Sequence, residues 1–131
     1  MIISHEVYAS VPIQLNIQTR QEIVAGLIPD GARLATGHIR HNGLHAGFRV
    51  WCVAPLLSEG SMHCNLAGLS GRNHYLRVRL SGHDWIPAID GDRGIVIMTT
   101  SPAADFEIVA DGEQTVTTDR WHLEIKGEYV G

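Results

Sequence analysis

The sequence predicts an all-β domain built as a sandwich or a barrel. Short apolar or alternating runs recur along the chain between Gly, Pro, Asn and Asp residues, and regular short strands separated by turn signals are typical of these folds. Only residues 18–27 resemble a short helix, and Gly26 with Pro29 ends that pattern before two full turns, so we expect a loop or a bulged strand extension there. The length of 131 residues fits one domain.

Seven strands are predicted. In chain order they cover residues 11–19, 33–40, 46–54, 74–80, 94–99, 105–110 and 120–130. Asn42 and Gly43 lie between the second and third runs, and both residues tolerate the positive φ that a tight turn demands. We therefore predict a β-hairpin that joins these two strands.

The last run shows the clearest alternation. Trp121, Leu123, Ile125 and Tyr129 fall on one face, opposite the polar residues between them, so one face is predicted to be buried and the other wet. This run extends to the end of the sequence, which leaves no segment for a following strand. We expect a β-sandwich that is one strand short and is stable only when an additional strand is provided.

The N-terminal residues 1–11 are one candidate for that strand. Ile3, Val7 and two later apolar residues share one parity, but His5 interrupts the face they form and Pro12 breaks the ladder just beyond. The sequence therefore favours a strand from another chain.

Composition excludes several classes of protein. Hydrophobic residues make up 44% of the chain and charged residues 18%, which argues against disorder. The net charge of −4 gives no electrostatic reason to expect nucleic acid or an anionic membrane as a partner. No apolar run approaches the roughly 20 residues of a membrane-spanning helix. Cys52 and Cys64 are the two cysteines, a count that fits one disulfide or two free buried thiols.

Residues 1–10 lack the basic start and the long apolar core of a whole signal peptide. Val7-Tyr8-Ala9 nevertheless has the small-residue spacing of a cleavage site. The segment is therefore interpreted as the tail of a signal peptide or as an ordinary N-terminal arm, and residues 11–131 as the β-sandwich domain.

The eight histidines suggest a metal site, chiefly through His38, His41 and His45 around the predicted turn. On a strand, His38 and His41 are three residues apart and point to opposite faces, which prevents them from sharing an ion. His41 and His45 could become neighbours across the hairpin, but they give two ligands at most. We therefore expect no metal site.

Candidates for catalysis are equally sparse. Ser70 lacks the strand-turn-helix context of a nucleophile elbow, and His83 with Asp84 reads as a polar turn before Pro87. A small hydrolase built on Ser70, His83 and Asp84 is a remote alternative, and we expect no catalytic residues and no cofactor.

Arg77 and Arg79 lie two apart in an alternating run, so they are predicted to share an exposed strand face. They form either a basic strip for an acidic partner or a charged strand face that opposes aggregation. Trp51 lies in an apolar run and is expected in the sandwich core, and Gly37 interrupts a strand where a close approach or a bulge is tolerated.

A series of short motifs runs from Asp30 to the end of the chain. In order they are Asp30-Gly31, Ala35-Thr36-Gly37-His38-Ile39, Gly47-Phe48-Arg49-Val50-Trp51, His74-Tyr75-Leu76-Arg77-Val78-Arg79, Gly82-His83-Asp84-Trp85-Ile86-Pro87, Gly91 and Gly94, Phe106 and Ile108, and Ala110-Asp111-Gly112 with Gln114. No single motif is specific, but their order and spacing resemble the AfaD-type invasin family, the tip subunits of chaperone-usher fimbriae that include the Afa, Agg and Saf systems.

The resemblance implies an incomplete immunoglobulin-like sandwich completed by a donor strand, first from a periplasmic chaperone and later from a neighbouring pilin. It further implies export through the periplasm, assembly by an outer-membrane usher, and a place at the fimbrial tip on the bacterial surface. There the chain would act as an adhesin or invasin on a host-cell receptor, without catalysis. Arg77 and Arg79 are the candidate receptor-face residues.

Seven apolar residues are expected to line the donor-strand groove: Trp51, Leu76, Val78, Phe106, Ile108, Leu123 and Ile125. One departure is clear, because His41 and the C-terminal end stand where the relatives carry their paired cysteines. We expect Cys52 and Cys64 to form a disulfide instead. The rival hypothesis is a self-contained β-sandwich module that binds carbohydrate or another ligand, with Trp85 and Trp121 as stacking platforms.

Overall fold

The structure, a computed structural model, describes residues 2–9, 13–19, 25–53, 62–68, 75–88 and 94–131. Within these ranges all regular secondary structure is β, and no helix is long and apolar enough to cross a membrane. In chain order the strands are β1 (Ile2–Ala9), β2 (Gln14–Thr19), β3 (Gly26–Ile28), β4 (Arg33–Arg40), β5 (Gly47–Cys52), β6 (His63–Ala67), β7 (Tyr75–Ser81), β8 (Ile86–Pro87), β9 (Ile95–Met98), β10 (Ala103–Ala110), β11 (Gln114–Val116) and β12 (Arg120–Val130).

The strands form two five-stranded sheets and a small ribbon. The first sheet has the order β1-β12-β5-β9-β8, the second has the order β2-β4-β10-β7-β6, and β11 pairs with β3 in the ribbon. All pairings are antiparallel except that of β1 with β12, which is parallel. The all-β sandwich predicted from the sequence is confirmed.

The core lies between the two sheets and draws on both. Phe48, Val50 and Leu123 come from the first sheet, and Leu76 and Ile108 come from the second; all five are buried in one continuous cluster. Each alternates along its strand with a more exposed neighbour, as expected for a sheet with one buried face.

All seven predicted strands are present, with bounds that differ by a few residues at their ends. Sequence reasoning missed the short strands β3, β6, β8 and β11, and it gave β1 only as the alternative in which residues 1–11 cover the last strand. The segment interpreted as a loop or strand extension, residues 18–27, contains the end of β2 and the start of β3, and residues 20–24 lie outside the described ranges.

The predicted hairpin at Asn42 and Gly43 is wrong. β4 belongs to the second sheet and β5 to the first, so residues 41–46 cross from one sheet to the other. Neither Asn42 nor Gly43 has a positive φ. The physical reason is that β4 and β5 both bury apolar side chains, and they do so from opposite sides of the same core, which an antiparallel hairpin would not allow.

Candidate functional site

The edge of β12 is the site where the sequence places an additional strand, and the structure lays the chain's own β1 along it. The parallel register pairs Ile3 with Trp121, His5 with Leu123 and Val7 with Ile125. Residues 2–9 are therefore part of the first sheet. The alternative that the N-terminal segment covers this edge is the arrangement present in the structure.

β1 pairs with β12 along its length but contributes little to the core. Ile3 is buried, Val7 is half-buried and packs against the core, and His5, on the same parity, is exposed. On the other parity, Ser4 Oγ lies 3.1 Å from His122 Nδ1 on the outer face of the sheet. β1 thus pairs with backbone groups of β12 that would otherwise be unpaired at the edge of the sheet. One position on the core-facing side of β1, that of His5, has no apolar side chain.

Six of the seven residues assigned to the groove lie in the buried core of the sandwich. They are fully buried and come from three strands: Leu76 and Val78 on β7, Phe106 and Ile108 on β10, and Leu123 and Ile125 on β12. The alternation predicted for β12 is confirmed at Trp121, Leu123 and Ile125.

Trp51 does not belong to this set, and its predicted place in the core is wrong. It pairs with Lys126 across β5 and β12, and the Arg49 guanidinium lies over its ring at 5.1 Å from the ring centre. Both partners are on the outer face of the first sheet. Because Phe48 and Val50 take the inward positions of β5, alternation directs Trp51 outward.

The two receptor-face candidates differ. Arg77 is exposed, and its guanidinium contacts Glu113 O at 3.4 Å. The Arg79 side chain is only 24% exposed and donates to Asp30 Oδ1 at 2.7 Å, to Ala110 O at 2.9 Å and to Asp111 Oδ1 at 3.3 Å. The prediction of an exposed basic strip is therefore wrong for Arg79, which links three segments of the fold.

The contact between Arg79 and Asp30 also shifts the pKa values of both side chains. The hydrogen bond from Arg79 and the hydrogen bond from Gly112 N–H hold the pKa of Asp30 below its usual value, and the same ion pair raises the pKa of Arg79. Sequence reasoning named Asp30 and Asp111 only within the family motifs and assigned them no role. The available signal was that each acid directly precedes a glycine, a pattern that places a carboxylate at a tight turn.

The disulfide between Cys52 and Cys64 is confirmed, with the two Cα atoms 6.2 Å apart. Cys52 ends β5 in the first sheet and Cys64 lies on β6 at the edge of the second. The bond therefore ties the two layers of the sandwich together as well as closing a loop of the chain.

The structure brings no catalytic group together among the residues it describes. His83 Nε2 and Asp84 Oδ2 are 3.5 Å apart on an exposed turn, and Ser70 lies outside the described ranges. The rings of His41 and His45 are neighbours, with centroids 5.4 Å apart, but the described part of the chain holds no group of three or more His, Cys, Asp or Glu side chains that could bind a metal ion.

The stacking platforms of the rival hypothesis are absent. Trp85 and Trp121 are both buried, and Trp85 Nε1 donates to Asp105 O at 2.7 Å. A sugar ring cannot reach either indole face, so the assignment of these two tryptophans to ligand stacking is wrong.

A groove of about 1150 Å³ lies on the outer face of the second sheet. Its charged side chains are paired with one another: His38 Nδ1 is 2.6 Å from Asp105 Oδ1, and Arg33 Nη1 is 3.4 Å from Glu107 Oε1. Of the candidate site residues considered from the sequence, His38, His83 and Phe106 line it. The groove is therefore separate from the edge of β12.

Comparison with known proteins identifies the relatives of this fold. A sequence model of the family described as Enterobacteria AfaD invasin protein matches residues 24–127. Protein AfaD of Escherichia coli is 30% identical over 102 residues, which cover 77% of this chain and 69% of that protein.

Two solved structures share the architecture. The Salmonella SafD adhesin superimposes with a TM-score of 0.85 and 33% identity, over 91% of this chain and 84% of that one. HdaB, the minor tip subunit of the E. coli Hda pilus, gives a TM-score of 0.82 and 28% identity, over 90% of this chain and 82% of that one. Both neighbours are subunits of bacterial adhesive organelles with an immunoglobulin-like fold.

Proposed function

This chain belongs to the Enterobacteria AfaD invasin family, and we propose that it is a minor tip subunit of a fimbria that acts as an adhesin or invasin on host cells. Family membership places it among fimbrial subunits, which are binding and assembly proteins. Its own part in a fimbria is the proposal, and one feature of the β12 edge supports it.

That feature is the parallel strand β1, which pairs with β12 but carries the exposed His5 at one of its core-facing positions. Ile3 and Val7 point to the core, while His5 is exposed at the register of Leu123. A donor strand with an apolar side chain at every inward position would bury more apolar surface on the same edge. Strand addition of this kind gains affinity from main-chain hydrogen bonds and specificity from alternate side chains.

We infer the assembly route from the same edge. A periplasmic chaperone would supply the first donor strand during export, the outer-membrane usher would receive the complex, and the N-terminal extension of a neighbouring pilin would then replace the chaperone strand. Residues 1–10 serve in this scheme as an arm that holds the edge until a donor arrives, and residues 11–131 as the pilin domain. The finished subunit stands at the fimbrial tip on the cell surface, facing a host-cell receptor.

The test is to fuse an alternating donor peptide from a cognate pilin after Gly131 and to measure the unfolding midpoint in urea. We expect a large increase, because each buried apolar side chain of the donor contributes roughly 1.5–3 kcal/mol. The matched control carries the same peptide with its inward residues changed to Ser, and it should unfold like the unfused chain.

Removing residues 2–9 from the fused protein completes the design. If the donor has replaced β1, the fused protein keeps its stability without these residues, whereas the unfused chain loses stability when they are removed. A donor fusion that unfolds at the same midpoint as its Ser control would refute the assembly proposal.

A further inference from the structure

Three neighbouring segments at one end of the sandwich contain no Asp, Glu, Lys or Arg, and the turn at residues 82–85 beside them carries Asp84 at their margin. These segments are residues 41–48, 97–104 and 129–130, and we call this surface the loop end. Charged residues make up 18% of the whole chain, so their absence from three separate segments is a local feature. We propose that the loop end is the surface that contacts a protein receptor, with Leu44 as its anchor; this inference rests on the proposed adhesin function.

Large apolar side chains are displayed on this surface. Leu44 is 97% exposed, Met98 is 62% exposed and Tyr129 is 40% exposed. An apolar and aromatic centre without charged residues distinguishes the core of a protein interface from ordinary surface. Arg40 and Asp105, both exposed, lie just outside the loop end and supply the charged rim that interfaces carry.

Backbone hydrogen bonds hold the three segments together. Ala46 N donates to Val130 O at 2.6 Å, Thr99 N donates to Ala46 O at 2.9 Å, and His41 N donates to Pro102 O at 2.8 Å. The loop that displays Leu44 is thus attached to both of its neighbours, even though its own tip is exposed.

His45 fixes the tip from the side. Its Nδ1 lies 2.8 Å from Gly43 O and its Nε2 lies 2.7 Å from Ser101 O. The ring therefore contacts the carbonyl group just before Leu44 and a carbonyl group of the adjacent loop. The ring also packs on Phe48 of the core, with centroids 4.7 Å apart.

The ring of His41 fixes the other side. It is buried, stacks on Tyr129 with centroids 4.4 Å apart and planes 9° apart, and fills the space beside Gly43 that a side chain there would need. The Tyr129 ring and the backbone on both sides of Leu44 are therefore held in place. A surface ordered before binding loses less conformational entropy on association, which favours affinity.

The opposite end of the sandwich has the reverse character. There Asp30, Arg79 and Asp111 form a network of ion pairs, and His63 Nδ1 lies 2.7 Å from Asp111 Oδ2. Those charges bind one another. Among the described residues, the two ends therefore differ: exposed apolar side chains mark the loop end, and ion pairs mark the opposite end.

The partner that fits is a protein surface with an apolar pocket for Leu44 and uncharged polar groups around it. Buried aromatic and aliphatic anchors supply most of the binding energy of protein interfaces. An anionic membrane is a poorer match, because the three segments contain no Lys or Arg to attract it. Membrane binding is accordingly an outcome of the test that would count against the proposal.

The experiment measures binding of the fluorescently labelled full chain to cultured mammalian epithelial cells. Leu44→Ser is the test variant, and Leu27→Ser is its matched control, because Leu27 is 68% exposed on β3, away from the loop end. Circular dichroism melting confirms that both variants fold. We expect saturable binding by the unmodified chain, at least a tenfold loss for Leu44→Ser and no more than a twofold change for Leu27→Ser, as expected for an anchor residue.

Two further measurements distinguish a protein receptor from the lipid membrane as the binding partner. Trypsin treatment of the cells should abolish binding, and vesicles of phosphatidylcholine and phosphatidylserine should not bind the chain. Equal binding by Leu44→Ser and the unmodified chain would overturn the loop-end proposal and leave the adhesin function standing. Binding that resists trypsin, together with binding to vesicles, would have the same consequence. If the unmodified chain does not bind cells, the adhesin function itself fails, and the receptor surface fails with it.

His45→Ala provides a second variant that leaves Leu44 in place. We expect faster hydrogen exchange at residues 42–46 and a loss of binding of about threefold to tenfold, because the loop then loses more conformational entropy on association. Unchanged binding with faster exchange would show that ordering of the loop does not contribute to recognition, and would overturn that part of the proposal.

Discussion

The ring of Phe106 occupies the space that a side chain on Gly37 would need. The two residues lie directly opposite each other on β10 and β4, and a Cβ built on Gly37 would collide with the ring. Phe106 is buried and meets the Trp85 ring edge-on, with centroids 5.7 Å apart. The glycine is therefore required by packing within the core, as the interruption of its strand suggested.

Gly37→Ala should lower the free energy of unfolding by about 1–3 kcal/mol, because overpacking a dense core forces its neighbours to shift. Urea denaturation measures the change. Phe106→Leu makes room for the new methyl group, so the double variant should lose less stability than the sum of the two single variants. Additive losses, or a Gly37→Ala variant as stable as the unmodified chain, would contradict the packing account.

Asp84→Gly should raise the free energy of unfolding by about 0.5–1 kcal/mol. Asp84 has a φ of 67°, in the left-handed region, and it is the non-glycine residue with positive φ among the described ranges. Removal of its side chain relieves that strain by more than the added flexibility of the unfolded chain costs. His83→Gly is the matched control, since His83 has no positive φ and should lose stability. Thermal melting compares the two, and changes of the same sign would refute the strain argument.

Reduction of the Cys52–Cys64 disulfide should destabilise the protein by about 3 kcal/mol, the loss expected for a loop of this size. Urea denaturation with and without dithiothreitol measures this loss. The double variant Cys52→Ala/Cys64→Ala should match the reduced protein and should not respond to the reductant. Alkylation of two thiols in the native, unreduced protein would show that the bond does not form.

Asp30→Asn should destabilise the protein at neutral pH and have a smaller effect in acid. Arg79 and Gly112 N–H hold the pKa of Asp30 below its usual value. Because the folded-state pKa is below the unfolded one, the stabilisation is fully present above the unfolded value of about 3.9 and is lost as pH falls through the folded value. Urea denaturation across this pH range should show the difference between the two proteins shrinking below about pH 4.

A control for this prediction uses Arg79→Met. Without the guanidinium, Asp30→Asn should have little effect at any pH, since the carboxylate is largely exposed and has lost its cationic partner. A difference between Asp30 and its Asn variant that persists unchanged into strong acid would show that the carboxylate charge is not the source of the stability.

The sequence determined the strands that carry the core. Each of the seven predicted runs became a strand, and in β12 alternation assigned Trp121, Leu123 and Ile125 to the buried face. These features follow from residues that are close in sequence, because the period of two along a strand is fixed by backbone geometry. The pairing of Cys52 with Cys64 was also within reach, since two cysteines allow one pair.

Tertiary structure decided which surfaces those strands face. Trp51 is a large apolar residue in an apolar run, but the inward positions of β5 belong to Phe48 and Val50, and pairing with Lys126 places Trp51 outside. Arg79 shares its predicted face with Arg77, yet Asp30 and Asp111, from distant parts of the sequence, enclose it. Local periodicity cannot identify such partners, because they meet through contacts between distant segments.

The Asn42–Gly43 loop and the edge of β12 show most clearly which features the sequence determined and which the fold decided. The sequence determined that the chain turns after β4 and that the last run is a strand with one apolar face. Only the fold decided that the turn crosses between sheets and that β1 lies parallel along the edge. Turn residues restrict φ over a few positions, whereas the choice of sheet and of pairing partner depends on which apolar faces close the core together.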